Sequence, residues 1–221
     1  SRGIGNGFAR YYLEAGDKVF GSVRKIKDAA ELEDRYGERF FPLIFDVRDG
    51  DALRAAAKKV DEADNGLDLL INNAGIAPDE PGTGVTDIDV DQVMTAFDVN
   101  VLGPVRVLEA FFPLLKKGNT PKLINISSIV GSMEWTEGGR AIPYCVSKAS
   151  LNMMSLLLSF RLAEHDIPIA ALHPGSVETD MGGSGSSLSV EESVRAMAGV
   201  IEKLTLDSPL YLDYRGERLP W

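Results

Sequence analysis

The chain has 221 residues, 44% of them hydrophobic and 25% charged, which is ample for a buried core and excludes a disordered, collagen-like or coiled-coil polypeptide. Its 23 basic and 33 acidic side chains give a formal charge of −10, a poor match for a nucleic-acid or anionic-membrane partner. Cys145 is the single cysteine and fits a reducing compartment, no apolar run reaches the roughly 20 residues of a membrane span, and no signal-peptide pattern opens the chain, so a cytoplasmic protein is expected.

In chain order, Gly3-Ile4-Gly5 leads into a helical stretch that runs through Leu13. Short apolar runs then alternate with amphipathic segments. The runs are Lys18–Val23, Phe41–Val47, Leu67–Asn72, Lys122–Ile126, Ile167–His173 and Leu210–Asp213. The segments between them read as helices: Ala29–Tyr36, Ala52–Ala63, Asp89–Lys117, Ser147–Glu164 and Val190–Leu204, the last opened by a Ser189–Glu192 capping box. Several runs are unbroken Val/Ile/Leu stretches, as in strands buried on both faces. The alternation predicts an α/β, Rossmann-type doubly wound parallel sheet in three layers, forming one domain over residues 1–221. Loops 79–86 and 182–189 follow apparent strands, and ligands of open α/β sheets bind at the carboxyl ends of strands.

Five features have the chemistry for a site. Glycines ahead of the first helix permit close backbone approach, and a helix N-terminus offers N–H groups to a phosphate. Tyr144 and Lys148 stand at i and i+4, on one helical face. A phenol with an ordinary pKa near 10 needs a shift of roughly three units to act near neutrality, and one positive charge about 4 Å away in an effective dielectric near 20 supplies that. Asn125-Ile126-Ser127-Ser128 ends a strand, where a serine hydroxyl can polarise a substrate carbonyl. Leu70-Ile71-Asn72-Asn73-Ala74-Gly75 runs from a buried strand into small and polar residues that suit a flat ligand. Asn100 lies within an otherwise apolar helix, either satisfied by a kinked backbone or a water or facing solvent.

The order and spacing of these pieces resemble the short-chain dehydrogenase/reductase family along the whole chain. The matching residues are Gly3-Ile4-Gly5, Asp46-Val47, Asn72-Asn73-Ala74-Gly75, Asn100, Ser128, Tyr144-x-x-x-Lys148 and Pro174-Gly175-Ser176-Val177-x-Thr179. Gly131-Ser132, Glu137-Gly138-Gly139, His173-Pro174-Gly175, Thr179 to Gly183 and Asp213 to Trp221 are similar to the C-factor-like and Sniffer-like carbonyl reductases. The resemblance implies an enzyme in which Tyr144 exchanges a proton with the carbonyl oxygen and Lys148 lowers its pKa and binds the nicotinamide ribose. It implies that Ser128 polarises the carbonyl and that Asn100 holds a relay water. Asp46 and Val47 would flank the adenine, Asn73, Ala74 and Gly75 the adenosine side, and Pro174, Gly175, Val177 and Thr179 the nicotinamide side. A homodimer or homotetramer through helices 89–117 and 147–164 is likewise implied.

Cofactor choice follows from charge. NAD-preferring members end the second strand with an acid for the ribose 2′-OH. Here the strand ends Ser22-Val23-Arg24, and Arg2 precedes Gly3, so NADP(H) is favoured over NAD(H). The expected substrate is a small or medium carbonyl compound (an aldehyde, ketone or quinone), with loop 129–143 and its Trp135 beside the pocket. His165 and His173 lack metal-ligand spacing, and no Gly-x-Ser-x-Gly elbow supports a hydrolase triad. Cys145 reads as an inert buried thiol. The alternatives are a non-catalytic dinucleotide-binding or signalling protein on the same scaffold, and a nucleotide-sugar enzyme with the same dyad. In this family the strand before the glycine loop lies mid-sheet, so a preceding segment of roughly 10 residues with one strand is expected.

Overall fold

The computed structural model describes residues 2–78, 82, 84–179 and 187–221. Its elements follow the predicted alternation: α1 (Gly3–Ala15), β1 (Val19–Val23), α2 (Ala30–Tyr36), β2 (Phe40–Ile44), α3 (Gly50–Ala63) and β3 (Leu69–Asn72). The second half continues with α4 (Val90–Phe97), α5 (Gly103–Leu115), β4 (Lys122–Ile126), α6 (Ile142–Leu162), β5 (Ile169–His173), α7 (Val190–Lys203) and β6 (Tyr211–Asp213). The predicted single helix over 89–117 is α4 and α5 joined by a π-helical turn at Asp98–Leu102, with Asn100 at its centre.

All strand pairing is parallel. The strands form two sheets, β1-β2 and β3-β4-β5-β6. Strands β4 and β5 are almost wholly buried, as their unbroken apolar runs require, whereas β1 and β3 are mostly half-buried. Among the described residues β1 and β3 share no ladder, so each has a flank without strand hydrogen bonds. Side chains still connect the sheets: Phe20 of β1 and Leu70 of β3 pack on one apolar cluster built from α3, α5 and β2.

The side-chain alternation of the strands separates two covering layers. Leu69, Ile71, Ile124, Ile126, Leu172 and Leu212 face α1 and α7 through Phe8, Val194, Met197 and Ile201. Leu70, Leu123 and Ile169 face the other way, onto Leu108 and Leu115 of α5 and Leu162 of α6. This is the expected three-layer arrangement. Local signals set the helix ends. Asp49 accepts from the backbone N–H groups of Asp51 and Ala52 to cap α3, and Ser189 and Glu192 form the capping box of α7. Helix α6 starts at Ile142, ahead of the predicted Ser147, because Pro143 sits in its first turn, where a missing N–H does no harm.

One outer face stays open. Val90 and Met94 of α4 are 67% and 61% exposed, and Met153, Leu157 and Phe160 of the adjacent α6 are 52%, 55% and 68% exposed. No helix among the described residues is long and apolar enough to cross a membrane.

Candidate active site

The site lies at the carboxyl ends of β3, β4 and β5, where their loops meet the N-terminus of α1 and one face of α6. Glycines mark how closely these parts approach. A Cβ at Gly5 would stand 2.6 Å from Asn73 Nδ2, and one at Gly3 would lie 3.5 Å from Thr179 Cγ2. A Cβ at Gly75 would lie 3.3 Å from Asn100 Oδ1 and 3.8 Å from Lys148 Nζ. The start of α1 therefore meets the loop after β3, and that loop meets the π turn and α6, while Ile4 packs on the core beneath. Gly3 has φ of 58°, a left-handed conformation that favours glycine.

Asn100 is buried and satisfied. Its Oδ1 accepts from the Ile76 N–H at 2.8 Å, and its Nδ2 donates to the Ile76 carbonyl at 2.8 Å and to Ser147 Oγ at 2.9 Å. Both of its N–H groups are thus spent on holding the loop after β3 against α6, leaving one lone pair of Oδ1 for a further partner.

Lys148 is buried on α6 and donates from Nζ to the Ile126 carbonyl at 2.8 Å, with Nζ 5.5 Å from the centroid of the Tyr144 ring. Burial lowers its pKa to about 8, which still leaves it mostly charged at neutral pH. The Tyr144 hydroxyl shares a hydrogen bond with the Ser128 side chain. Burial raises the phenol's pKa, and the Ser128 bond opposes the rise without overcoming it. The lowering expected from Lys148 is corrected here. The pairwise Coulomb argument left out desolvation, which dominates for a phenol in a largely dry setting. Ser128 itself caps the short turn Ile129–Gly131, its Oγ accepting from the Val130 N–H at 3.4 Å.

On the far side, Asp46 is held by Arg48 through Nε at 2.9 Å and a terminal nitrogen at 2.8 Å, with the Arg48 N–H as a third donor. Those donors hold its carboxyl down at about 2. Arg48 was not anticipated, although a basic residue two positions beyond an acid at a strand end is a legible signal for such a pair. Val47 packs against the helix after the π turn, where a Cβ on Gly103 would lie 2.8 Å from its Cγ2. Arg24 is exposed at the end of β1, near enough to Asp46 to lower the acid's pKa further. Arg2 directly precedes α1, which has neither a capping side chain nor an acid in its first turn. The cradle thus fits a dinucleotide phosphate: uncapped N–H groups and an arginine at one end, a second arginine at the next strand, and glycines where an anion must approach.

After β5, the Pro174 carbonyl accepts from Ser193 Oγ at 2.6 Å. Gly175 has φ of 84°, and a Cβ there would lie 2.6 Å from Leu188 and 3.0 Å from the Tyr214 ring. Val177 bridges Leu188 in parallel, and Thr179 returns to Gly3. A pocket of about 210 Å³ opens here, lined by Ile129, Trp135, His173, Leu188, Tyr214 and Leu219. Trp135, among the lining residues, is half exposed. Of the other expected loops, residues 79–81, 83 and 182–186 lie outside the described residues, as do Ser1 and the Asp180–Gly183 part of the subgroup motif. Cys145 is only partly buried, which corrects its reading as a buried thiol. No cluster of three metal-ligating side chains occurs among the described residues.

The model of the short chain dehydrogenase family matches residues 1–187. The chain is 38% identical over 156 residues to the C-signal protein of Myxococcus xanthus, covering 70% of this chain and 93% of that protein. Among solved structures it is similar to the carbonyl reductase Sniffer of D. melanogaster, with a TM-score of 0.92 and 32% identity over 100% of this chain and 96% of that one. It is also similar to the NADPH-bound carbonyl reductase from chicken fatty liver, with a TM-score of 0.91 and 32% identity over 100% and 95% of the two chains.

His173 closes β5 with a buried Nδ1 that has no hydrogen-bond partner among the described residues, and burial lowers its pKa to about 4. Between about 4 and the unfolded value near 6.5, the unfolded chain binds a proton that the folded chain refuses, so stability rises with pH across that window. Denaturant unfolding from pH 7 to pH 4 is expected to lose up to about 3 kcal/mol through this group. In His173→Gln that component of the slope disappears; an unchanged slope overturns the assignment.

Proposed function

The chain belongs to the short-chain dehydrogenase/reductase family, and on that premise we propose that it reduces an aldehyde, ketone or quinone to the alcohol with NADP(H), using Tyr144 as general acid. The convergence of Ser128, Tyr144, Lys148 and Asn100 at the mouth of the glycine cradle carries this reading. A bound NADPH supplies the hydride.

The residues divide the remaining work. Ser128 Oγ, at the end of β4, donates to the carbonyl oxygen as negative charge develops on it. The half-buried Tyr144 phenol, its pKa raised by desolvation, retains its proton at neutral pH, as a general acid must, and delivers it to that oxygen. The phenolate left behind is supported by the Lys148 ammonium, which is charged below about 8. Lys148 has three donors and spends one on Ile126, leaving two for the nicotinamide ribose and for a water. The free lone pair of Asn100 Oδ1 would hold that water and return a proton toward Lys148. Asp46, Val47 and Asn73 to Gly75 would line the adenosine, and Pro174 to Thr179 the carboxamide. Arg24 and Arg2 favour the 2′-phosphate of NADP(H), a preference supported by the NADPH bound to the chicken enzyme. A signalling or binding module has no need of a phenol set beside a serine and a buried lysine.

The exposed apolar faces of α4 and α6 are adjacent and continuous, and Val146, Met153, Leu157 and Phe160 recur at the spacing of one helical stripe. We propose a homodimer through this face, with tetramer formation as a further step.

Tyr144→Phe is expected to lower turnover of an aldehyde or quinone panel by about 100-fold or more, with NADPH still bound as seen by quenching of protein fluorescence. Undiminished turnover would sink the general-acid reading. Arg24→Ser should raise the Kd for NADPH by about tenfold and leave NADH nearly unchanged, as loss of one charge-assisted contact predicts; equal effects on both overturn the cofactor assignment. Light scattering should give about twice the chain mass, and Leu157→Glu with Phe160→Glu should give the monomer. A monomeric unsubstituted protein contradicts the dimer.

A further inference from the structure

Strand β6 and the hairpin after it reach back to the catalytic serine. Tyr211, 1% exposed, donates from its hydroxyl to the Ser128 carbonyl at 2.6 Å, and that carbonyl also accepts from the Gly131 N–H at 3.0 Å. The same hydroxyl is hydrogen-bonded to the amide of Asn152, which is also buried. Asn152 in turn donates to the Gly131 carbonyl at 3.3 Å and accepts from Ser127 Oγ at 2.5 Å. The segment from Ser127 to Gly131 is therefore gripped at each of these points by one amide on α6 and one phenol on β6. There is no slack in the grip: a Cβ on Gly131 would lie 2.8 Å from Asn152 Nδ2 and 3.0 Å from the Lys148 carbonyl carbon. The tail keeps Tyr211 in place from behind. Leu219 donates to the Tyr211 carbonyl at 3.0 Å, the Trp221 ring lies 5.7 Å from the Tyr211 ring, and the Trp221 carbonyl accepts from the Glu134 N–H at 2.9 Å.

We propose that Tyr211 and Asn152 are positioning residues that set the direction of the Ser128 hydroxyl toward Tyr144. The inference rests on the proposed role of Ser128. Neither residue is placed against substrate; both act through the serine's peptide planes. Two donors on one carbonyl fix the plane between residues 128 and 129, and Ser127 Oγ anchors the residue before it. The Ser128 Cα–Cβ bond is left with a single direction. Asn152 stands two turns after Tyr144 and one turn after Lys148 on α6, so one rigid helix carries the acid, its lysine and the clamp on the serine. A polarising hydroxyl must meet the oxygen where charge develops, so a small misalignment shows in turnover more than in binding.

Tyr211→Phe removes one hydroxyl from a buried site and keeps the ring. It is expected to lower kcat about five- to tenfold, the effect of one buried hydrogen bond, with KM for the carbonyl and Kd for NADPH within about twofold. In a Ser128→Ala background the same substitution is expected to have no further effect, which a purely structural role would not produce. Asn152→Ala withdraws the amide from the same hydroxyl and should show the same pattern, so the test stands if Tyr211→Phe does not fold. An unchanged kcat in the folded variants, or a loss that simply multiplies that of Ser128→Ala, overturns the proposal. Full turnover by Ser128→Ala alone would instead overturn the role given to Ser128, and the positioning inference with it.

Discussion

Helix α6 is fastened to strand β4 by buried polar bonds, and the site takes its geometry from that seam. Lys148 Nζ reaches the Ile126 carbonyl, Asn152 holds Ser127, and Ser155 Oγ accepts from Asn125 Nδ2 at 2.8 Å while Asn125 Oδ1 accepts from Asn72. An apolar seam tolerates sliding, because one methyl contact replaces another at little cost. A polar seam does not, since a shift of one turn would leave several buried donors and acceptors without partners, each worth about 1–3 kcal/mol. The register of α6 on β4 is thereby unique. With it, the distance between the phenol and the serine is fixed before any ligand arrives.

Glycines mark the other joints. Gly5 meets Asn73, Gly75 meets Asn100, and Gly131 meets the backbone of α6, each pair drawn from distant parts of the chain. At Gly131 a methyl group would press on the Asn152 amide and on the backbone of α6, whereas at Gly5 and Gly75 the side chains of Asn73 and Asn100 would have to give way. Asn100 shows how such a joint is locked: its amide bonds both backbone polar groups of Ile76 and also reaches Ser147, so the loop after β3 cannot drift from α6. The glycine loop before α1, the loop after β3 and the face of α6 that carries Tyr144 and Lys148 are therefore held together.

Much of this was legible in the sequence, for stated reasons. The unbroken runs at Lys122–Ile126 and Ile167–His173 signalled strands covered on both sides, and in each of β4 and β5 all residues but one are buried. The order of Gly3, Asn73, Asn100, Ser128, Tyr144 and Lys148 signalled which residues would meet. What escaped the reading depends on quantities outside local pattern. The direction of the Tyr144 shift is decided by burial, which a pairwise charge estimate omits. Helix α6 starts five residues ahead of the expected Ser147, with Pro143 in its first turn, where the missing N–H costs nothing. Arg48 and Asn152 were within reach of spacing arguments, at two residues from Asp46 and four from Lys148. Tyr211 was not, because nothing local ties a strand near the chain's end to the carbonyl of residue 128.

The π turn at Asp98–Leu102 gives one helical rod two phases. An extra residue in a helix rotates everything beyond it by about 100° relative to an unbroken spiral. Before the slip, Val90 and Met94 look outward beside the open stripe of α6; after it, Val107, Leu108, Phe111, Leu114 and Leu115 look inward to the sheets. The two stripes are offset spirals, so a single period drawn through residues 89–117 describes neither half. Asn100 occupies the dislocation between them, and the same irregularity that lets the rod serve an outer face and an inner core also delivers an amide to the site.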